Sequence, residues 1–362
     1  MEPRFCIVPY LSVYNPLDSP SFHLNLPSFL FTLSLQNHKS NSTTKVLCST
    51  KKMGSLVGHV IPGFGFFLIG IWHLLNHIKL HALRPKSYTS LAWFPAPRLR
   101  YAELYVIMVG TLISISMELF IGPAKHQPLD SDGTIPSYHL HNFEHSNISL
   151  SFFVYAAFSI LFDHVIPSTP VQYGLTLFLG AVAFGQELLL FHLHSTDHHG
   201  VEGQYHWLLQ IVIFLSFATT LLGIPFPKSF LNSFVRSYSI MFQGIWFMVI
   251  GIMLWTPDFI SKGCFLNYEE GHKVVRCHNT EALERAKSLV NIQFSWYLIG
   301  VTVFTVSLHL FLVKFFRENV EYLSLICKFD DEDLEDVEAQ KKRLVSHGEH
   351  KKFLEMGKRE NN

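Results

Sequence analysis

The chain has 362 residues and a formal net charge of zero; 49% of its residues are hydrophobic and only 15% are charged. An ordinary soluble domain carries roughly 25% charged residues, so this composition argues against one and for a polytopic membrane protein with room for several spans. The zero balance speaks against nucleic acid as a partner, since no basic excess is present to neutralise phosphates, and the lipid bilayer is the partner that remains. Five cysteines without a CxxC pair indicate neither a zinc ribbon nor a redox dithiol. The 21 histidines are the outlier.

Residues 1–52 differ from the rest. Ser, Asn and Pro recur, acidic residues are nearly absent, and the apolar run from Leu24 to Leu35 is too short to span and is broken by Pro27. The expectation is an N-terminal extension, either a disordered tail or upstream translation with Met53 as the start. Gly58 stands where a myristoylation signal needs Ser or Thr. Residues 53–325 then form one transmembrane domain, and residues 326–362 a charged tail.

Seven spans are expected, at about 56–78, 103–121, 148–166, 171–194, 205–222, 237–255 and 291–315. Most approach the roughly 20 residues that a hydrocarbon core requires. All should be helical, because lipid offers backbone groups no partner and no strand-like alternation is present. The fold class is therefore all-α, a bundle of about seven transmembrane helices. Pro123, Pro167, Pro170, Pro225 and Pro257 mark several ends. Lys79, Arg84, Lys86, Arg98 and Arg100 in the first loop place that loop, and with it the C-terminus, in the cytoplasm. The sixth loop dissents with Lys262, Lys273, Arg276, Arg285 and Lys287, but long loops count less. It also holds Cys264 and Cys277, which either form a disulfide or remain two separate thiols.

Ionisable residues at membrane depth mark function by default. On the first span, His59, His73, His77 and His81 lie within about 80° of one another. His59 and His77 are nevertheless about 27 Å apart along the axis, too far for one site. The simplest reading makes them interfacial, with His73 turned to the bundle. Glu118 lies near the outer end of the second span, and His139, His141, Glu144 and His145 precede the third, which closes on Asp163 and His164. The densest stretch is 191–206, with His192, His194, His198 and His206 and with Glu187 about two turns deeper. If the fourth helix continues, His194 and His198 form an i, i+4 metal-binding pair. Ser195, Thr196, Asp197 and Gly200 look instead like turn residues.

Glu118, His145, Glu187, His192, His194, His198 and His206 are thus the candidate metal ligands, gathered toward the outer side. Imidazole with carboxylate suits Zn, Cu, Fe or Ni rather than Ca or Mg. Two other readings stay open: polar side chains bridging helices, and a proton relay. The spacing is not that of the HxxxH and HxxHH desaturase boxes. No P-loop, GxSxG, HExxH or dinucleotide motif occurs at a fitting place.

Gly58-His59-Val60-Ile61-Pro62-Gly63, followed by Gly70-Ile71-Trp72-His73, resembles the first span of the transmembrane protein 45 family. Glu118, His145-Ser146, the run from Glu187 to His192-x-His194, and Phe242-Gln243-Gly244-Ile245-Trp246-Phe247 resemble its later landmarks. The resemblance covers about residues 53–325, and the histidine-rich DHHG resembles the plant branch. It implies a multi-pass membrane protein of around seven helices, associated with viral or stress responses. It carries no reaction, ligand or catalytic residue with it. Two functions follow as expectations: an outer-side His/Glu cluster that binds a metal or carries protons, or a non-catalytic membrane scaffold. A metal-dependent membrane hydrolase is a weaker third.

Overall fold

The computed structural model describes residues 54–121, 127–166, 169–193, 200–269 and 272–316. The chain divides into two units, Met1–Ser49 and Thr50–Asn362, and every described residue belongs to the second. The expected extension (1–52) and charged tail (326–362) therefore lie outside the described residues, as do His194 and His198.

Seven helices are long and apolar enough to cross a membrane, so the chain is an all-α polytopic bundle. They are α1 (Gly54–Leu83), α2 (Ala102–Ser116, extended by a π turn over Met117–Ile121), α3 (Leu140–Val165), α4 (Pro170–Leu193), α5 (Gly200–Leu222), α6 (Phe230–Trp255) and α7 (Thr280–Phe316). The second and fourth match the expected spans to within a residue at each end. The others run longer. α3 starts eight residues before its expected beginning, and α5, α6 and α7 also start early, because polar residues near their N-terminal ends (Asn232, Ser233 and Arg236 in α6) interrupt the apolar stretch without ending the helix. Ser229 caps α6 by accepting the Asn232 amide hydrogen.

A two-stranded antiparallel hairpin, β1 (Cys264–Glu269) and β2 (His272–Cys277), lies between α6 and α7. The hairpin stands outside the seven spans, in the long sixth loop. Cys264 pairs with Cys277 in the ladder, and the two form a disulfide. Arg276 closes an ion pair across the strands with Glu269. Gly263 turns the chain into β1 at φ 88°, in the left-handed region that favours glycine. At 1.5 Å per residue, the 37-residue α7 is about 55 Å long against a hydrocarbon layer of about 30 Å. Its first turns therefore reach past the layer and support the hairpin, with Arg285 donating to the Lys262 carbonyl.

α6 is the central helix: 72% of its most apolar window is buried, against 6% for α2. It packs chiefly against α1, antiparallel, along a seam of glycines. A Cβ on Gly70 would lie 2.3 Å from the Met241 nitrogen, and one on Gly244 would lie 2.3 Å from the Phe67 nitrogen. Only residues without side chains permit two backbones so close, which is how membrane helices gain contact where no hydrophobic effect drives them together. Around this seam Leu74, Ile78, Val212, Met241, Phe242 and Val301 form one buried cluster. Phe191, Tyr205, Leu209, Ile213, Trp246, Phe247, Ile250 and Val275 belong to a second, toward the hairpin end.

Candidate functional site

Polar side chains collect at both ends of the bundle. At the hairpin end, the π turn that finishes α2 presents Glu118 to α3. Its carboxylate accepts from Asn142 at 2.7 Å and faces His145 Nδ1 at 3.3 Å. Deeper, Glu187 on α4 is 1% exposed. Gln243 of α6 donates its amide to both carboxylate oxygens, at 2.9 and 3.0 Å. The Gln243 carbonyl oxygen lies 3.2 Å from Ser216 Oγ of α5, which lies 3.1 Å from Ser239 Oγ of α6. Three helices are thus tied through one carboxylate and one amide.

His192 Nδ1 stands 3.2 Å from the Gln210 carbonyl oxygen, and the Gln210 amide donates to the Phe191 carbonyl at 3.2 Å. Because that oxygen can only accept, the His192 proton sits on Nδ1. His206 on α5 is buried, and its Nε2 lies 3.5 Å from Nε2 of His59 on α1. The pair is enclosed by aromatic rings: Trp255 at 4.5 Å and Phe247 at 6.1 Å from the His59 ring, and Phe191 at 5.8 Å from the His206 ring.

The five expected ligands that lie among the described residues therefore do not form one set. Glu118 and His145 meet across α2 and α3, Glu187 meets Gln243, His192 meets Gln210, and His206 meets His59. Among the described residues, no group of three or more His, Cys, Asp or Glu is arranged to hold a metal ion. The partner of His206 is a residue that the sequence reading placed at the interface. α4 ends at Leu193 and α5 begins at Gly200 beside this pair.

The opposite end holds a second cluster. His73 and His77 are both buried, at 4% and 0% exposure, which corrects the interfacial reading of His77. Glu103, in the first turn of α2, accepts from His73 Nε2 at 2.6 Å, from the Trp72 indole at 3.1 Å and from the Phe94 amide at 2.9 Å. Three donors thus satisfy this buried carboxylate. Arg236 of α6, 3% exposed, donates to the Leu91 carbonyl at 3.1 Å and points NH2 at His77 Nε2, 3.4 Å away. A guanidinium cannot accept, so His77 Nε2 is the acceptor and its proton sits on Nδ1, 2.9 Å from the Tyr88 hydroxyl. Burial pushes the Tyr88 phenol above its ordinary range, which keeps it neutral. Nearby, Arg100 grips Asp163 with two hydrogen bonds at 3.0 and 2.9 Å, and Tyr101 donates to the same carboxylate at 2.6 Å.

The sequence reading missed Glu103, Tyr88 and Arg236. Their partners lie up to 159 positions away, and each sits at a helix end or in a loop, where charge and hydroxyl groups are ordinary. The accessible signal was the run of His73 and His77 on one face of α1, whose neighbours must be polar if the face is buried.

The model of a family of unknown function (DUF716) matches residues 173–310, from the first turn of α4 to near the end of α7. That stretch includes Glu187, His192, His206, Arg236 and Gln243, and the chain is similar to this family across it.

Proposed function

We propose that this is a multi-pass membrane protein of the transmembrane protein 45 type that binds a transition-metal ion at the hairpin end of the bundle, through His206 and His59. The observation that carries the reading is the 3.5 Å between the two Nε2 atoms, held inside an aromatic enclosure. Two imidazole nitrogens bound tetrahedrally at 2.0–2.1 Å stand about 3.4 Å apart, so the pair already has the spacing of two ligands. Imidazole donors favour zinc, copper, nickel or iron. His194 and His198, in the segment joining α4 to α5, are the further ligands we assign from sequence.

The orientation we assign puts the end with Lys79, Arg84, Lys86 and Arg98 in the cytoplasm, together with the C-terminus. The hairpin end then faces an oxidising lumen or exterior, where the Cys264–Cys277 disulfide persists. The stress and viral responses associated with the plant branch of the resembling family give this reading its physiological setting.

A second reading, helix bridging, is favoured for three of the other candidates. Glu118, Glu187 and His192 each meet a polar side chain of a neighbouring helix, and such contacts contribute about 0.6–2 kcal/mol each in membranes. Elemental analysis of the detergent-purified full chain separates the two roles. Near-stoichiometric zinc, copper, nickel or iron, lost in folded His59→Ala and His206→Ala variants and kept in Glu118→Gln, supports the assignment. Wild-type protein without bound metal after exposure to each ion would refute it.

A further inference from the structure

The buried cluster at the basic end is the anchor of the first loop, residues 84–101. Tyr88 of that loop hydrogen-bonds His77, Arg236 holds the Leu91 carbonyl, Tyr155 donates to the Ala92 carbonyl at 3.3 Å, and Glu103 holds the Phe94 amide. The Ser90 amide donates to the Pro227 carbonyl at 2.7 Å, which fixes the loop to the turn between α5 and α6. A loop tied at five points has a defined shape. Tyr88, Ser90 and Phe94 point inward and are buried, whereas Arg84, Lys86 and Arg98 are exposed.

The charge balance of this face is one-sided. Glu103 is buried and paired with His73, and Asp163 is occupied by Arg100. Among the described residues, no carboxylate pairs with Arg84, Lys86 or Arg98, or with exposed Lys79 and Lys228 beside them. The loop also exposes Leu91 and Leu99, at 40% and 53%. Arg100 lies 5.8 Å over the Trp93 ring, and Trp93 packs on Tyr101 at 5.4 Å. Aromatic rings, exposed leucines and unpaired cations at the end of spanning helices match the headgroup layer, where Trp and Tyr are enriched and basic residues meet anionic lipid.

We infer that Arg84, Lys86 and Arg98, with Lys79 and Lys228, form a preorganised binding surface for the phosphate of anionic phospholipid headgroups. Cations on and beside a loop that is already tied down bind phosphate without first ordering that loop, so the entropy of ordering it is already spent in folding. The two leucines reach the adjacent acyl region, which makes a lipid, rather than a free phosphate, the ligand. The inference is independent of the metal site at the other end.

The test uses the full chain in neutral detergent, titrated with dioctanoyl phosphatidylinositol 4-phosphate. Saturable binding that weakens with salt is expected, together with none for dioctanoyl phosphatidylcholine. The triple variant Arg84→Gln/Lys86→Gln/Arg98→Gln should bind about tenfold more weakly or worse, since each basic residue near a charged surface adds appreciable attraction. Lys262→Gln/Lys273→Gln, on the hairpin side, should bind like wild type. Unchanged affinity in the triple variant, or equal binding of the phosphatidylcholine, would overturn the inference. Equal affinity for inositol 1,4-bisphosphate, which has no acyl chains, would show a free-phosphate site instead of a lipid surface.

Discussion

Replacing Gly244 by Ala tests the packing on which every site depends. The new Cβ would stand 2.3 Å from the Phe67 nitrogen and 2.4 Å from the Gly63 oxygen, about 1 Å inside ordinary van der Waals contact. Both neighbours are backbone atoms, so no rotamer change relieves the clash and α1 must move off α6. Overpacking of this kind costs about 1–3 kcal/mol, and the rigid neighbours place this case near the upper value. Alanine returns up to about 1 kcal/mol of helix propensity, leaving a net loss of about 2 kcal/mol. At Gly65 a Cβ meets nothing within 4 Å, so Gly65→Ala should be neutral or slightly stabilising. The assay is unfolding in mixed dodecyl maltoside and SDS micelles, followed by far-UV circular dichroism. Gly244→Ala should unfold at a clearly lower SDS fraction than Gly65→Ala, and coincident transitions would refute the close α1–α6 seam.

Three further outcomes follow from the polar contacts. Gln243→Leu removes both hydrogen bonds to the buried Glu187 carboxylate and should destabilise by about 1–3 kcal/mol in the same assay; adding Glu187→Leu should restore much of the loss, because no buried polar group is then left unpaired. Arg236→Met releases the Leu91 carbonyl, so amide exchange at residues 88–94 should quicken while α7 is unaffected, as read by hydrogen-exchange mass spectrometry. Cys264 and Cys277 should resist maleimide labelling until reductant is added, and Cys264→Ser/Cys277→Ser should lose up to about 3 kcal/mol, the entropy of closing a loop of this length. Labelling of either cysteine in unreduced protein would contradict that bond.

The bundle was legible in the sequence because membrane-depth residues are held to one chemistry. α2 and α4 were bounded well, since their apolar runs stop where the helices stop. α3 was not: His141, Asn142, Glu144 and His145 are polar, and hydropathy reports the lipid-facing part of a helix rather than the helix. The hairpin escaped because its strands read as a charged loop, although Gly271 between them is of a residue type that turns favour. The histidine-rich stretch drew attention to His206. Its described partner, His59, lies 147 positions earlier on α1, and no spacing rule reaches that far. Glu103 and Arg236 were hidden for a related reason. At a span end a charge is usually solvated, and only the folded loop of residues 84–101 turns these two inward.

X-ray absorption at the edge of the bound metal, on the full chain loaded with a single equivalent, examines the histidine pair itself. The proposed site predicts nitrogen scatterers at 2.0–2.1 Å with the outer-shell pattern of at least two imidazoles, and one imidazole fewer after His59→Ala or His206→Ala. A spectrum made of oxygen scatterers alone, or one that both substitutions leave unchanged, would contradict a metal site at His59 and His206.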